Sequence, residues 1–361
     1  MNISIAERLH PFSHAMGTSF LVPCTSWVVR VFPTRLEFSD LEGKGESFFL
    51  ILDFEGPIKE FTAELDLEQS RLCVFGKTRK GFMRYELCAK EEGIDLTIEK
   101  APLEKVGVNH SLLSEFFLSK GESKQVCRTA QQGELLKGER LSLGMHKAQD
   151  WDLMCRRLDC KEIFPHWFRL SGLSSASCSL SDFHLLEECR KKIEQRDKEQ
   201  IIEAFEHLFL AAFGGVLVPR LFDADHHGLT PCQTTSVQGI SPMPLLVESG
   251  KLIRSLFIQE GEGVVSLLPC LPTQFHCGRL VGVKTSSDVQ FDIEWSKKTL
   301  RRVVVVPGAT QVLQLQLPKG VRSCRVVRGA KAQETMIVDA CGRASLPVEE
   351  GKAIQLDRLL Y

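Results

Sequence analysis

No stretch of this chain approaches the roughly 20 consecutive apolar residues that a membrane span needs. Nor does the N-terminal run Met1-Asn2-Ile3-Ser4-Ile5-Ala6-Glu7-Arg8 show a basic segment followed by an apolar core, so no signal peptide is visible. Charge of one sign is also lacking. Forty-five Lys and Arg face 46 Asp and Glu, for a formal net charge of -1, which leaves no global field for gathering nucleic acid or an anionic membrane. The 13 cysteines include no Cys-x-x-Cys pair, which argues against a structural zinc site, and their odd number argues against a disulfide framework. Reduced thiols in a cytoplasmic protein, with no metal and no cofactor, are the expectation. Gly76-Lys77-Thr78 resembles the tail of a phosphate loop, but Arg71 stands where that motif needs glycine. Gly-x-Ser-x-Gly and His-Glu-x-x-His are absent, so those hydrolase and zinc-protease readings have no support.

What is present is a change of period along the chain. From Thr18 to about Cys127, short apolar or alternating runs such as Trp27-Val28-Val29-Arg30-Val31-Phe32 and Phe48-Phe49-Leu50-Ile51-Leu52 are separated by glycine-rich turns. Many strands at this spacing predict an antiparallel β-sandwich. Near Gly138 the spacing becomes three and four residues, with Trp151, Leu153, Met154, Leu158, Ile163 and Trp167 as the expected buried stripe. A long helix is expected to start at Ser181-Asp182 and run through Ile193, Phe205 and Ala212 to Gly214-Gly215, and another to cover Pro244 to Gln259. Beyond Gly263, strands return. The fold class is therefore mainly β with a helical middle: a sandwich over 1–137, a helical segment over 138–262 and a smaller antiparallel β-domain over 263–361.

Two stretches concentrate polar chemistry. Asp150-Trp151-Asp152 places an aromatic ring between carboxylates, the combination that sugar recognition uses when a ring face meets C–H groups and polar atoms take hydroxyls. Asp223-Ala224-Asp225-His226-His227 offers four proton-transfer groups within five residues, although turns favour Asp for backbone reasons alone. His10 and His14 sit four apart, but Pro11 argues against a helix that would align them on a metal.

Val264 to Pro272, with its Leu267-Leu268-Pro269-Cys270-Leu271-Pro272 core, leads to Gly278-Arg279-Leu280-Val281-Gly282-Val283 and then Phe291-Asp292-Ile293-Glu294-Trp295. This run resembles the junction into the C-terminal β-domain of the (α/α)6-barrel glycoside hydrolases, nearest to the family 95 α-L-fucosidases. The resemblance implies a sandwich, a helical linker, a barrel and a C-terminal β-domain, in the order read from periodicity. Two departures follow. A twelve-helix barrel needs roughly 250 residues, and the stretch from Gly138 to Gly263 holds four or five helices at most. The family's water-activating Asp, in a Pro-Phe-Gln-Ile-Asp-Gly motif, falls on Thr235 within Pro231-Cys232-Gln233-Thr234-Thr235. A hydroxyl with a pKa far above neutrality cannot replace that carboxylate.

The expected function is carbohydrate binding, or interaction, by a truncated and non-hydrolytic relative, with Asp150, Trp151, Asp152, Asp223, His226, His227 and Gln233 as ligand-binding residues. The alternative is a working hydrolase with a rebuilt site at Asp223, Asp225 and His226. A helical layer without its barrel would also leave Phe205, Leu208, Phe209 and Phe213 for a second copy or a partner chain to cover. Nucleic acid and membrane are not expected partners.

Overall fold

The computed structural model describes residues 2–6, 8–128, 138–144, 148–174, 183–223, 240–329 and 332–361. Alternation dictates the N-terminal part. In the strand Phe82–Lys90, Met83, Tyr85, Leu87 and Ala89 point inward while their neighbours are more exposed, the period of two that a half-buried strand requires. Two six-stranded sheets result. One runs from Phe12–Ser13 through Lys59–Asp66, Arg71–Lys77, Phe82–Lys90 and Gly93–Lys100 to Ser123–Arg128, and the other from Phe116–Ser119 to Thr18–Leu21. Every pairing within them is antiparallel, and their inner faces bury Phe20, Phe38, Leu50, Leu87 and Leu96 in the core of a β-sandwich.

Five helices follow among the described residues: α1 (Trp151–Arg157), α2 (Cys160–Gly172), α3 (His184–Glu194), α4 (Gln200–Ala212) and α5 (Met243–Ser255). The long helix expected through Ile193 and Ala212 is broken. Arg196 adopts a left-handed backbone (φ 55°), and the Asp197 carboxylate accepts from Gln200 N–H at 3.2 Å, which starts α4 afresh. The charged middle of the segment is thus a turn in a helical hairpin. Its expected start at Ser181-Asp182 lies outside the described residues. Of the expected stripe, Leu153 is exposed, because it follows the N-cap on the outer side of a helix of only seven residues.

The helical layer is covered from within. Phe164 and Trp167 of α2 meet Phe205 of α4 edge-on, and Trp167 also packs edge-on against Phe213 at 4.6 Å. Phe275 from the C-terminal part closes on Phe164, and the Trp167 indole donates to Ser249 Oγ of α5 at 2.9 Å. Phe205, Leu208, Phe209 and Phe213 are all buried in the chain's own core. They do not form the uncovered face expected of a helical layer without its barrel, because α2 and the C-terminal part supply the apolar neighbours.

The C-terminal β-domain is made of a seven-stranded antiparallel sheet, from Arg140–Ser142 and Cys277–Lys284 to Ala332–Ile337, and a four-stranded sheet from Ile258–Gly261 to Arg343–Val348. One pairing departs from the antiparallel expectation: Val264–Leu267 runs parallel to Gln311–Gln316. Between these two strands the chain passes through the seven-stranded sheet, a crossover long enough for a parallel return. The strand Arg140–Ser142 lies at the edge of the large sheet and precedes all the helices, so that sheet is assembled from both sides of the helical segment. No helix is long and apolar enough to cross a membrane.

Candidate functional site

The Asp150–Asp152 stretch serves as a joint. Asp150 caps α1, its Oδ1 accepting from Leu153 N–H at 3.1 Å. Asp152 Oδ2 accepts from the Ser13 hydroxyl at 2.9 Å, fixing α1 to the first strand of the sandwich. Trp151 is only 2% exposed; its indole donates to Gly215 O at 2.7 Å and its ring meets His166 and Phe209 edge-on. No ring face remains for a sugar. The expected stacking role of Trp151 is therefore overturned, because an apolar body with one donor is most stable where the body packs and the donor finds a carbonyl.

Asp223 stands at the end of the described part of its loop, with its Oδ1 3.5 Å from Arg220 Nη2. Arg220 in turn donates to Leu210 O (2.7 Å) and Ala211 O (2.9 Å) at the end of α4. Trp151 and Asp223 are thus tied to neighbouring parts of the segment from Leu210 to Gly215. Asp225, His226, His227, Gln233 and Thr235 lie outside the described residues. His10 and His14 both face the strand Lys59–Asp66. His10 Nδ1 is 3.6 Å from Asp66, whereas His14 Nδ1 lies 3.0 Å from Phe61 O. Among the described residues, no group of three His, Cys, Asp or Glu side chains could hold a metal ion.

A polar bolt that sequence reasoning missed joins the helices to the sandwich. Gln149 is buried; its Oε1 accepts from His10 N–H at 2.7 Å and its amide donates to Arg8 O. His166, fully buried, faces that same Oε1 with Nε2 and the Glu162 carbonyl with Nδ1, each at 2.9 Å. Burial holds the His166 pKa down to about 4, against the opposing pull of the Glu162 carbonyl.

Among the described residues, three clefts stand out. One, of about 580 Å³, lies between α2, α5 and the strand Cys277–Lys284. In its wall Glu139 accepts from Arg254 Nε at 2.9 Å; burial raises the Glu139 pKa and Arg254 opposes the rise. A second, of about 490 Å³, is walled by Trp27, Phe48, His110 and Leu112 at one end of the sandwich. Its His110 has both nitrogens engaged, Nε2 with Val126 O at 2.9 Å and Nδ1 accepting from Leu112 N–H. The third, about 810 Å³, is a trough in the C-terminal part between the Leu267-Leu268-Pro269 segment, the Pro318-Lys319-Gly320 turn and the Asp339–Gly342 loop. The turn between α3 and α4 contributes Arg196 and Lys198 to its wall, which also includes Tyr361, a residue 44% exposed. Tyr361 is held by donation from its hydroxyl to Leu300 O at 3.2 Å.

Among the described residues, each of these three clefts has one acidic side chain in its wall: Glu139, Glu46 and Asp339 respectively. Asp339 is already committed, since its Oδ1 accepts from the backbone N–H of Cys341 (2.9 Å) and Arg343 (2.7 Å). Sequence reasoning could not find this trough, because its residues come from segments far apart in the chain.

The architecture is a β-sandwich, a short helical layer and a C-terminal β-domain. Residues 259–356 match the model of glycoside hydrolase family 95, C-terminal domain. Over that segment the chain is glycoside-hydrolase-like. A search of curated proteins finds no match.

The residues that carry the resemblance form one packed unit. Leu268 N–H donates to Phe257 O at 2.7 Å, the Phe257 ring stacks on Trp295 at 5.2 Å, and the Trp295 indole donates to Phe275 O at 3.2 Å. Asp292 Oδ1 accepts from Gly282 N–H at 2.8 Å, next to a bulge between Leu280 and Val283. These positions hold α5 onto the large sheet.

Proposed function

We propose that the chain binds carbohydrate without hydrolysing it, and that the C-terminal trough is where it does so. The supporting observation is that, among the described residues, each of these clefts has one acidic side chain. Glycoside hydrolysis by the usual routes needs two, about 5 Å apart for retention or about 6.5–9.5 Å apart for inversion. In the trough that carboxylate is occupied in holding its own loop. Tyr361 supplies an exposed ring for the C–H face of a sugar, and Gln316, Lys319 and Arg322 lie in the same wall to meet hydroxyls. Most of that wall, from Ser266 to Gly342, falls inside the segment matched by the glycoside hydrolase family.

A glycan array, followed by titration calorimetry on the oligosaccharides retained, tests the reading together with turnover assays on aryl-glycosides. Binding is expected without turnover, and Tyr361→Ala is expected to weaken it by about 10-fold or more, the loss of a stacked ring. Turnover that disappears in Asp223→Ala would instead establish a rebuilt acid/base site at Asp223, Asp225 and His226. Absence of any glycan binding would overturn the proposal.

A further inference from the structure

We propose that the ligand of the C-terminal trough is an acidic oligosaccharide, one whose sugars carry carboxylate or sulfate groups. This rests on the carbohydrate-binding reading above and adds the chemical class of the sugar.

Four cations line the trough: Arg196 and Lys198 from the turn between α3 and α4, and Lys319 and Arg322 from the loop that follows Gln311–Gln316. Among the described residues, none of the four is within ion-pair distance of a carboxylate. Several arginines elsewhere in this near-neutral chain are ion-paired. Arg71 meets Asp66 and Glu86, Arg254 meets Glu139 and Glu260, and Arg325 meets Asp357. What sets the trough apart is that four cations without an ion pair among the described residues share one wall with a single acidic side chain, in a chain whose overall charge is -1.

The fold places them there. The left-handed backbone at Arg196 turns the chain between the two helices, and the Cys270 thiol donates to Ile193 O at 3.3 Å, docking the end of α3 on the segment that floors the trough. Asp339 cannot neutralise the site cheaply, since turning toward a cation would strand two backbone donors. Arginine forks match the two oxygens of a carboxylate or sulfate, and a trough concentrates the field of several charges. The exposed Tyr361 ring next to them distinguishes a sugar from a bare anion.

The test is calorimetric titration of the full chain with four probes: an oligogalacturonide, a heparin-derived tetrasaccharide, a neutral xylo-oligosaccharide of equal length and inorganic polyphosphate. At least one of the two acidic saccharides is expected to bind about 10-fold or more tightly than the neutral one, with affinity falling steeply from about 50 to about 500 mM salt. Binding of the oligogalacturonide shows that carboxylates suffice, whereas binding of the heparin tetrasaccharide alone points to its sulfates. The double variants Lys319→Glu/Arg322→Glu and Lys319→Gln/Arg322→Gln should each lose that preference while keeping the wild-type circular dichroism and melting temperature. Tyr361→Ala should weaken acidic and neutral saccharides alike. Equal binding of acidic and neutral saccharides, or a preference that survives both double variants, would overturn this inference and leave carbohydrate binding standing. Polyphosphate binding as tightly as the acidic saccharides would also overturn it, as would a lack of binding by any saccharide, which defeats the underlying reading too.

Discussion

Gly278 sits where a side chain has no room. A Cβ there would fall 2.3 Å from Trp295 Cζ2 and 2.7 Å from the backbone oxygen of Ser142. Trp295 is buried, stacked on Phe257 and hydrogen-bonded to Phe275 O. It cannot swing away without breaking the junction between α5 and the large sheet. Gly278→Ala is therefore expected to destabilise the fold by about 1–3 kcal/mol, the usual cost of overpacking a closed site. Chemical denaturation of the two proteins under identical conditions measures this, and an unchanged midpoint would show that the sheet edge yields. In this part of the molecule the sequence resemblance and the packing reason coincide at single residues.

Between elements, the contact most exposed to pH is the Gln149–His166 bolt, where α2 meets the N-terminal segment. His166 is held at a pKa of about 4, whereas an unfolded chain takes up the proton near 6.5. Within that window the unfolded state binds more protons than the folded one, so stability rises with pH and is lost as pH falls from 6.5 toward about 4. The loss amounts to at most about 3 kcal/mol. His166→Gln removes the titrating group, so its stability should change less than the wild type's between pH 7 and pH 4, whatever its stability at pH 7. Unfolding midpoints across that range decide the matter, and parallel pH profiles would exclude His166 as the source. The α3–α4 hairpin shows a second effect at this scale. Apolar spacing continued through the break, so the turn was visible only in Arg196's backbone and the Asp197 cap.

At the scale of the whole molecule, one continuous apolar cluster runs from the sandwich through the helices into the C-terminal sheets. Thiol chemistry should report that enclosure. The 11 cysteines among the described residues are all free, and only Cys277 and Cys341 are exposed. Burial pushes the Cys73, Cys127 and Cys324 thiols up to about 11 and the Cys155 thiol to about 12. Thiolate, the reactive form, is therefore scarce at those positions near neutrality. Iodoacetamide on the native protein should modify Cys277 and Cys341 well before these four, all of which should react readily once the chain is unfolded. Peptide mapping by mass spectrometry checks the order. Early labelling of Cys73 or Cys155 would mean that the sandwich or the helical layer opens.

The sequence by itself determined the order of elements and a resemblance over one segment. A period of two marked the strands from Trp27 to Cys127 and again beyond Gly263, a period of three to four marked α1, α2 and α5, and the Leu267–Trp295 run carried the resemblance to glycoside hydrolases. These are local properties, set by which neighbours share a face. Only the tertiary structure decided which polar residues remain available. Trp151 looked like a sugar platform and became a buried joint, because Gly215, 64 positions along the chain, offered its carbonyl. Arg196, Lys319, Arg322 and Tyr361 carried no motif, yet the crossing of two sheets and a helical turn gathers them around one trough. Burial and convergence depend on pairings between residues far apart in sequence, and no periodicity within a short window records them.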